Sequence, residues 1–321
     1  MKRMAALSLA WLFAAPVWAS TPEIQRADAL WELRAEGQRE GRARPERTGP
    51  AIAAYEAALA AHSEILEAHW KLLRALWYSA YFATDQVAVQ REIYERALAV
   101  SERGFAVLAA RVGGAKALAD APPEELRAQL SAADHRDAAA LYFWYGINLG
   151  AWSRIAGLLQ AVRTGVANRL HDATLRSIAL DPDVEQGGAI RLLSRLHSEL
   201  PRVPLISGWV DPARAVPLAE RAEADYPQHP GNAYLLGLAL LAHAPERRAE
   251  ALALIEAAAS LVPRPDQLVE DLGIQRAARE LLEVEQGRLD RVHVLPRRAS
   301  AGPPETRTVS GKPGTHLALH R

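Results

Sequence analysis

Residues Ala51 to Tyr81 read AIAAYEAALAAHSEILEAHWKLLRALWYSAY, and the spacing within this stretch decides the fold. Ala51, Tyr55 and Ala58 recur three and four residues apart, so they lie on one face of a helix. Small residues let a second helix come close, and the tyrosine fills the groove between the two. His69, Leu72 and Leu76 open a second face at the same spacing, beyond a short polar gap at His62-Ser63. Two helices joined by so short a connection pack antiparallel.

The same phase returns on both sides. Upstream, Ala27 to Gln38 predicts a first helix with Leu30, Trp31 and Leu33 on one face, and Gly41 to Gly49 reads as a loop closed by Pro45 and Gly49. Downstream, REIYERALAV repeats the pattern with Tyr94 and Ala97, before a Gly113-Gly114 break. Pro122-Pro123-Glu124-Glu125 starts another helix, with proline and carboxylates suited to a first turn. Ala138 to Val162 is strongly apolar, with Gly146 and Gly150 on one face. Arg169 to Pro182 and Arg214 to Tyr226 each read as the second helix of a pair, the latter with Ala215, Ala219 and Ala222. Leu236-Gly237 marks a tight helix contact, and Leu268 to Gln286 adds one more amphipathic helix. These pairs resemble the tetratricopeptide pattern, with Ser63 standing where the usual turn proline falls. The resemblance implies an all-α chain, a right-handed solenoid of antiparallel helix pairs over 20–295 with a long preformed concave face.

Residues 1–19 read as a signal peptide. Lys2 and Arg3 precede an apolar run from Met4 to Ala15, too short to span a bilayer, and Val17-Trp18-Ala19 places cleavage after Ala19. The sequence has no cysteine, which excludes disulfides, thiolate metal sites and a lipid anchor on a leader cysteine. An exported, periplasmic protein is the expectation. Formal net charge is zero, but residues 296–321 hold Arg297, Arg298, Arg307, Lys312 and Arg321 against Glu305 alone. That basic, proline- and glycine-rich tail is expected to be disordered. The body is then mildly acidic, with no basic face for nucleic acid.

The sequence holds no nucleophile elbow, phosphate loop, dinucleotide fingerprint or zinc-protease motif. His62 and His69 stand two turns apart, and His135, His171 and His197 are scattered; no ligand spacing supports a metal, and no cofactor is expected. Carboxylates alternate with arginine, as in EELRA and ERRAE, the pattern of a solvated face. A non-catalytic protein is expected. The aromatic residues carry more information: Trp70, Trp77, Tyr78 and Tyr81 on one helix, Tyr142, Trp144, Tyr145 and Trp152 on another. Core packing accounts for all of them. The functional alternative places Trp70, Trp77, Trp144 and Trp152 on the concave face beside Asn148 and Arg191, lining a pocket for an organic anion or an apolar ligand, with Arg191 as the carboxylate partner.

NLGAWSRIAGLL (148–159), ANRLHDATLRSIALDPDVEQGGAIRLLSRLHSELP (167–201) and ISGWVDPARAVPLAERA (206–222) together resemble the TatT family, the T components of tripartite ATP-independent periplasmic (TRAP) transporters. The most specific features are the Ala-Leu-Asp-Pro turn, Gly187-Gly188, the Leu-His-x-x-Leu-Pro segment and Gly208-Trp209. This resemblance implies a non-catalytic accessory protein that assists a periplasmic TRAP substrate-binding protein. It implies small organic acids or hydrophobic molecules as ligands, and extends to homo-oligomeric assembly. Many members carry a lipid anchor, for which this chain lacks the cysteine. A general periplasmic adaptor for envelope or secretion-complex assembly is the alternative that the repeats alone allow.

Overall fold

Alanine, leucine, glutamate and arginine dominate residues 20–294, and these residues give up little on entering a helix. The computed structural model describes residues 20–294, which are all-α, with no β-strand among them. The signal peptide expected over 1–19 and the tail expected over 296–321 lie outside the described residues. No described helix is long and apolar enough to cross a membrane.

By packing, the chain divides after Leu282. The unit ending there begins with a hairpin of α1 (Pro22–Glu32) and α2 (Pro45–Ala61), followed by one of α3 (Leu66–Phe82) and α4 (Val87–Arg111). Two short helices, α5 (Ala115–Asp120) and α6 (Pro123–Gln129), lead to α7 (His135–Ala156). The short α8 (Leu158–Arg163) connects α7 to its packing partner α9 (Val166–Leu180). Further pairs are α10 (Gly188–Glu199) with α11 (Ala215–Asp225), and α12 (Pro230–His243) with α13 (Arg248–Ser260). The last helix, α14 (Leu268–Val294), starts within this unit, and residues 283–294 are the described part of the second unit.

The spacing in α2 works as expected: Ala51, Tyr55 and Ala58 are fully buried. Tyr55 also ties its hairpin together, its hydroxyl donating to Asp28 Oδ1 on α1 at 2.6 Å. The start of this helix departs from expectation. Pro45 to Gly49 is the first turn of α2 and not a loop, and Pro50 lies inside the helix. Pro45 at the first position loses no intrahelical bond. Gly49 relieves the clash that Pro50 imposes on the residue before it, because glycine has no Cβ. In α1 the buried stripe is Ile24, Ala27 and Trp31, while Leu33 is exposed in a single 3-10 turn after the helix.

The main core runs from α1 to α10, and smaller apolar clusters join α11, α12 and α13. One carboxylate at this end sits poorly. Glu223 on α11 buries Oε2 without a hydrogen-bond partner, and loss of hydration pushes its pKa up to about 7. The folded state therefore prefers the protonated acid, and folding is disfavoured as pH rises from the ordinary carboxylate range through 7. Glu223→Gln is expected to melt with the wild type at pH near 4 and above it at pH near 8. Equal melting temperatures at both pH values, in calorimetry, would remove this assignment.

Candidate functional site: a cavity between aromatic rings and arginines

On α3, residues 74, 77, 78 and 81 share one face, being three, four and seven positions apart. That face, with one side each of α1, α7, α10, α12 and α14, encloses a cavity of about 320 Å³. None of the lining comes from α2, α4, α9, α11 or α13. The first helix of each pair therefore faces inward, and the second buries its small residues behind it.

One wall is aromatic. Trp77 stacks on Tyr81, with centroids 5.4 Å apart, and meets Trp144 of α7 at 5.4 Å. Phe143 packs edge-on to Trp144, and Trp31 of α1 edge-on to Tyr78. Rings offset or edge-on in this way gain quadrupole attraction in addition to buried area. Burial raises the Tyr78 hydroxyl above the usual phenol range, so it stays protonated.

The facing wall carries charge. Arg264 grips Asp271 with Nε and Nη2, at 2.9 and 2.7 Å, and Arg195 pairs with Glu199. Glu270 pairs with Arg34 at 3.1 Å, and its pKa is raised because burial outweighs the pull of Arg34. Two cavity arginines have no carboxylate partner among the described residues. Arg191 donates to the carbonyls of Glu185 and Gln186 and, at 2.9 Å, to Asn232 Oδ1. Burial lowers its pKa to about 10; Glu185 opposes this shift and Arg264 adds to it. Arg74 lies over Trp31 at 4.5 Å and over Trp70 at 5.1 Å, and its Nε is buried without an acceptor. Trp144 Nε1 and the Tyr78 hydroxyl are likewise buried without partners. Burial and the nearby Arg191 and Arg264 push His229 down to about 2, so it is neutral.

The cavity thus joins an apolar, flat-sided wall to hydrogen-bond donors and to two guanidinium groups that have no carboxylate partner among the described residues. No family model matches the chain, and no curated protein matches it. The functional reading therefore rests on this geometry and on the sequence.

Trp77, Trp144 and Arg191 line the cavity. Trp70, Asn148 and Trp152 do not, and each has another task. Trp70 donates to Asp137 Oδ1 at 2.8 Å and backs the guanidinium of Arg74. Asn148 is fully buried and donates to Leu73 O at 3.2 Å and Trp144 O at 2.8 Å, fastening α7 to α3. Trp152 is buried with Nε1 3.5 Å from Glu95 of α4. The helical period explains the separation. Steps of four residues rotate by about 40° each, so 148 and 152 turn progressively away from the face of Trp144. Arg191 also holds the left-handed turn at Glu185, Gln186 and Gly187 through two of its carbonyls.

Arg74 was within reach of the sequence, since it shares the stripe of Trp77, Tyr78 and Tyr81. Arg264, Glu270, Asp271 and His229 were not, because nothing local links them to the aromatic helices. Among the described residues no group of three or more His, Asp and Glu side chains could hold a metal ion. His62 pairs with Glu23, and His69 is buried with Nδ1 3.0 Å from the Ile65 carbonyl.

Proposed function

We propose that the protein is a non-catalytic periplasmic accessory component of a TRAP-type uptake system, whose central cavity receives a small organic acid with an apolar body. The observation that carries the ligand assignment is the meeting of an aromatic wall with Arg74 and Arg191, neither of which has a carboxylate partner among the described residues. Such a site rewards a flat or aliphatic body by burial and an anionic head by charge-assisted hydrogen bonds. In this reading the helix pairs form a right-handed, tetratricopeptide-like solenoid whose concave side is drawn in around the cavity. Its outer surface is left for the substrate-binding protein. The TRAP assignment is supported by the sequence resemblance, which runs roughly from the first repeat to Leu261 and is carried by the segments within 148–222.

An amphipathic aromatic anion provides the test. Anilinonaphthalene sulfonate is expected to bind the folded protein at one site and to quench tryptophan emission. Arg74→Met is expected to weaken that binding about tenfold, the scale of one lost charge-assisted hydrogen bond. The uncharged N-phenyl-naphthylamine should bind both forms alike. If neither probe binds, or if Arg74→Met weakens both equally, the cavity is not an anion site. Capture of a solute-binding protein from the periplasm tests the transport assignment separately; recovery of envelope-assembly factors alone points to the adaptor instead.

A further inference from the structure

The chain carries no Asp or Glu between Asp137 and Asp172, and none between Glu199 and Asp211. The structure brings the ends of these two acid-free segments together at the first turns of α9. Trp209 donates from Nε1 to Asn168 Oδ1 at 2.8 Å, and its ring stacks on His171 with centroids 3.9 Å apart. Asn168 lies just beyond Gly165, the left-handed residue that joins α8 to α9. Behind Trp209, His197 Nδ1 accepts from the Asp211 amide at 3.1 Å, which fixes the other end of the loop.

Both segments expose apolar side chains. Leu158 and Leu159 are 82% and 65% exposed, and Val162, Leu205 and Ile206 are also exposed. These five are half of the large apolar residues exposed among the described residues, so the exposure is concentrated in these two segments. The same segments expose Arg154, Arg163, Arg169 and Arg202. None of the four has a carboxylate partner among the described residues; Arg169 donates to the Tyr145 hydroxyl and Arg202 to the Gly208 carbonyl.

We propose that this edge, α8 together with the 201–209 loop, docks on the surface of an anionic lipid bilayer. The pairing of separate apolar tips with unpaired guanidinium groups is what an interfacial contact requires. Leucine tips enter the acyl boundary, and arginines stay at the level of the phosphates. A fluid apolar phase accepts isolated projecting side chains without a complementary pocket. A second copy of the chain suits the edge poorly, because a symmetric contact sets four arginines against four. The inference is independent of the cavity and its ligand.

Sedimentation of the chain from Ser20 to Arg321 with lipid vesicles tests it. The protein is expected to bind vesicles of phosphatidylcholine containing about one-third phosphatidylglycerol, to bind pure phosphatidylcholine weakly, and to be released by salt. Leu158→Gln with Leu159→Gln is expected to lower the partition coefficient about tenfold or more, with an unchanged melting temperature, since both side chains are already in water. The tail beyond Pro296 is present in both forms, so this comparison is insensitive to it. Failure of the wild type to sediment with anionic vesicles overturns the proposal, as does equal binding by the variant. A concentration-dependent dimer that the same substitutions abolish, without vesicle binding, assigns the edge to a second copy.

Discussion

Glu270→Ala is expected to lower the free energy of unfolding by about 3–5 kcal/mol, the cost of leaving a buried charge without its partner. The charge is Arg34, whose side chain is 3% exposed while that of Glu270 is 16% exposed. Arg34 Nε and Nη2 both donate to Glu270 Oε1, at 3.2 and 3.1 Å. The guanidinium also lies 4.4 Å over the ring of Trp31 and donates to the Asp266 carbonyl. It therefore cannot follow its partner into water without unstacking the wall of the cavity. The two residues are 236 positions apart, so the pair joins the beginning of the unit to its last helix. Loss of probe binding in the cavity should accompany the loss of stability, because Trp31 and Glu270 both line it.

A double substitution separates the pair from the burial. Arg34→Met with Glu270→Leu should recover most of the lost stability, because an apolar pair of similar size avoids both desolvation costs. It should not recover all of it, since the Trp31 and Asp266 carbonyls lose their donor. Urea denaturation of the two single variants and the double variant provides the measurement. A change below 1 kcal/mol for Glu270→Ala would place the contact among weak surface pairs and withdraw the closing role.

Gly237→Val is expected to be the next most damaging change, at about 3 kcal/mol. A Cβ at this position would sit 2.6 Å from Ile255 Cγ1 and 2.9 Å from the Ala251 carbonyl oxygen on α13. The side chain of Ile255 can yield, but the carbonyl belongs to the helix backbone. Relief therefore requires α12 and α13 to move apart along a shared core of alanines and leucines. Glycine within a helix costs about 1 kcal/mol relative to alanine, so propensity alone predicts a gain on substitution. Close approach decides the sign against propensity. Gly237→Ala should still destabilise, and Ile255→Ala should cost at least about 1 kcal/mol less in that background than in the wild type, as contacting residues couple by this amount. Additive effects in denaturant melts would mean that the two helices are not in contact here.

These two sites differ in how much of them local sequence revealed. The Gly237 contact was legible because a glycine between leucines in an apolar helix signals close packing, and its partner follows in the next helix. The stripe of Tyr55, Leu72, Leu76 and Tyr94 was legible for the same reason: each helix packs mainly on a neighbour in the chain. Arg34 and Glu270 carried no such sign. Each looks like an ordinary charged residue near a helix end, and only the return of α14 to α1 makes them partners. The same holds within the cavity. The aromatic stripe of α3 is periodic, whereas Arg264, Asp271 and His229 reach it from distant parts of the chain.

By itself, the sequence determined that the described chain is all-α, and which faces of its helices are apolar, because helical period and side-chain size act over three or four residues. Only the tertiary structure decided which of the aromatic residues line a cavity, which arginines lack a carboxylate, and where two acid-free segments come together. Those outcomes depend on contacts between residues far apart in the chain, and a rotation of about 40° along a helix is enough to move Asn148 off the face of Trp144 and into packing.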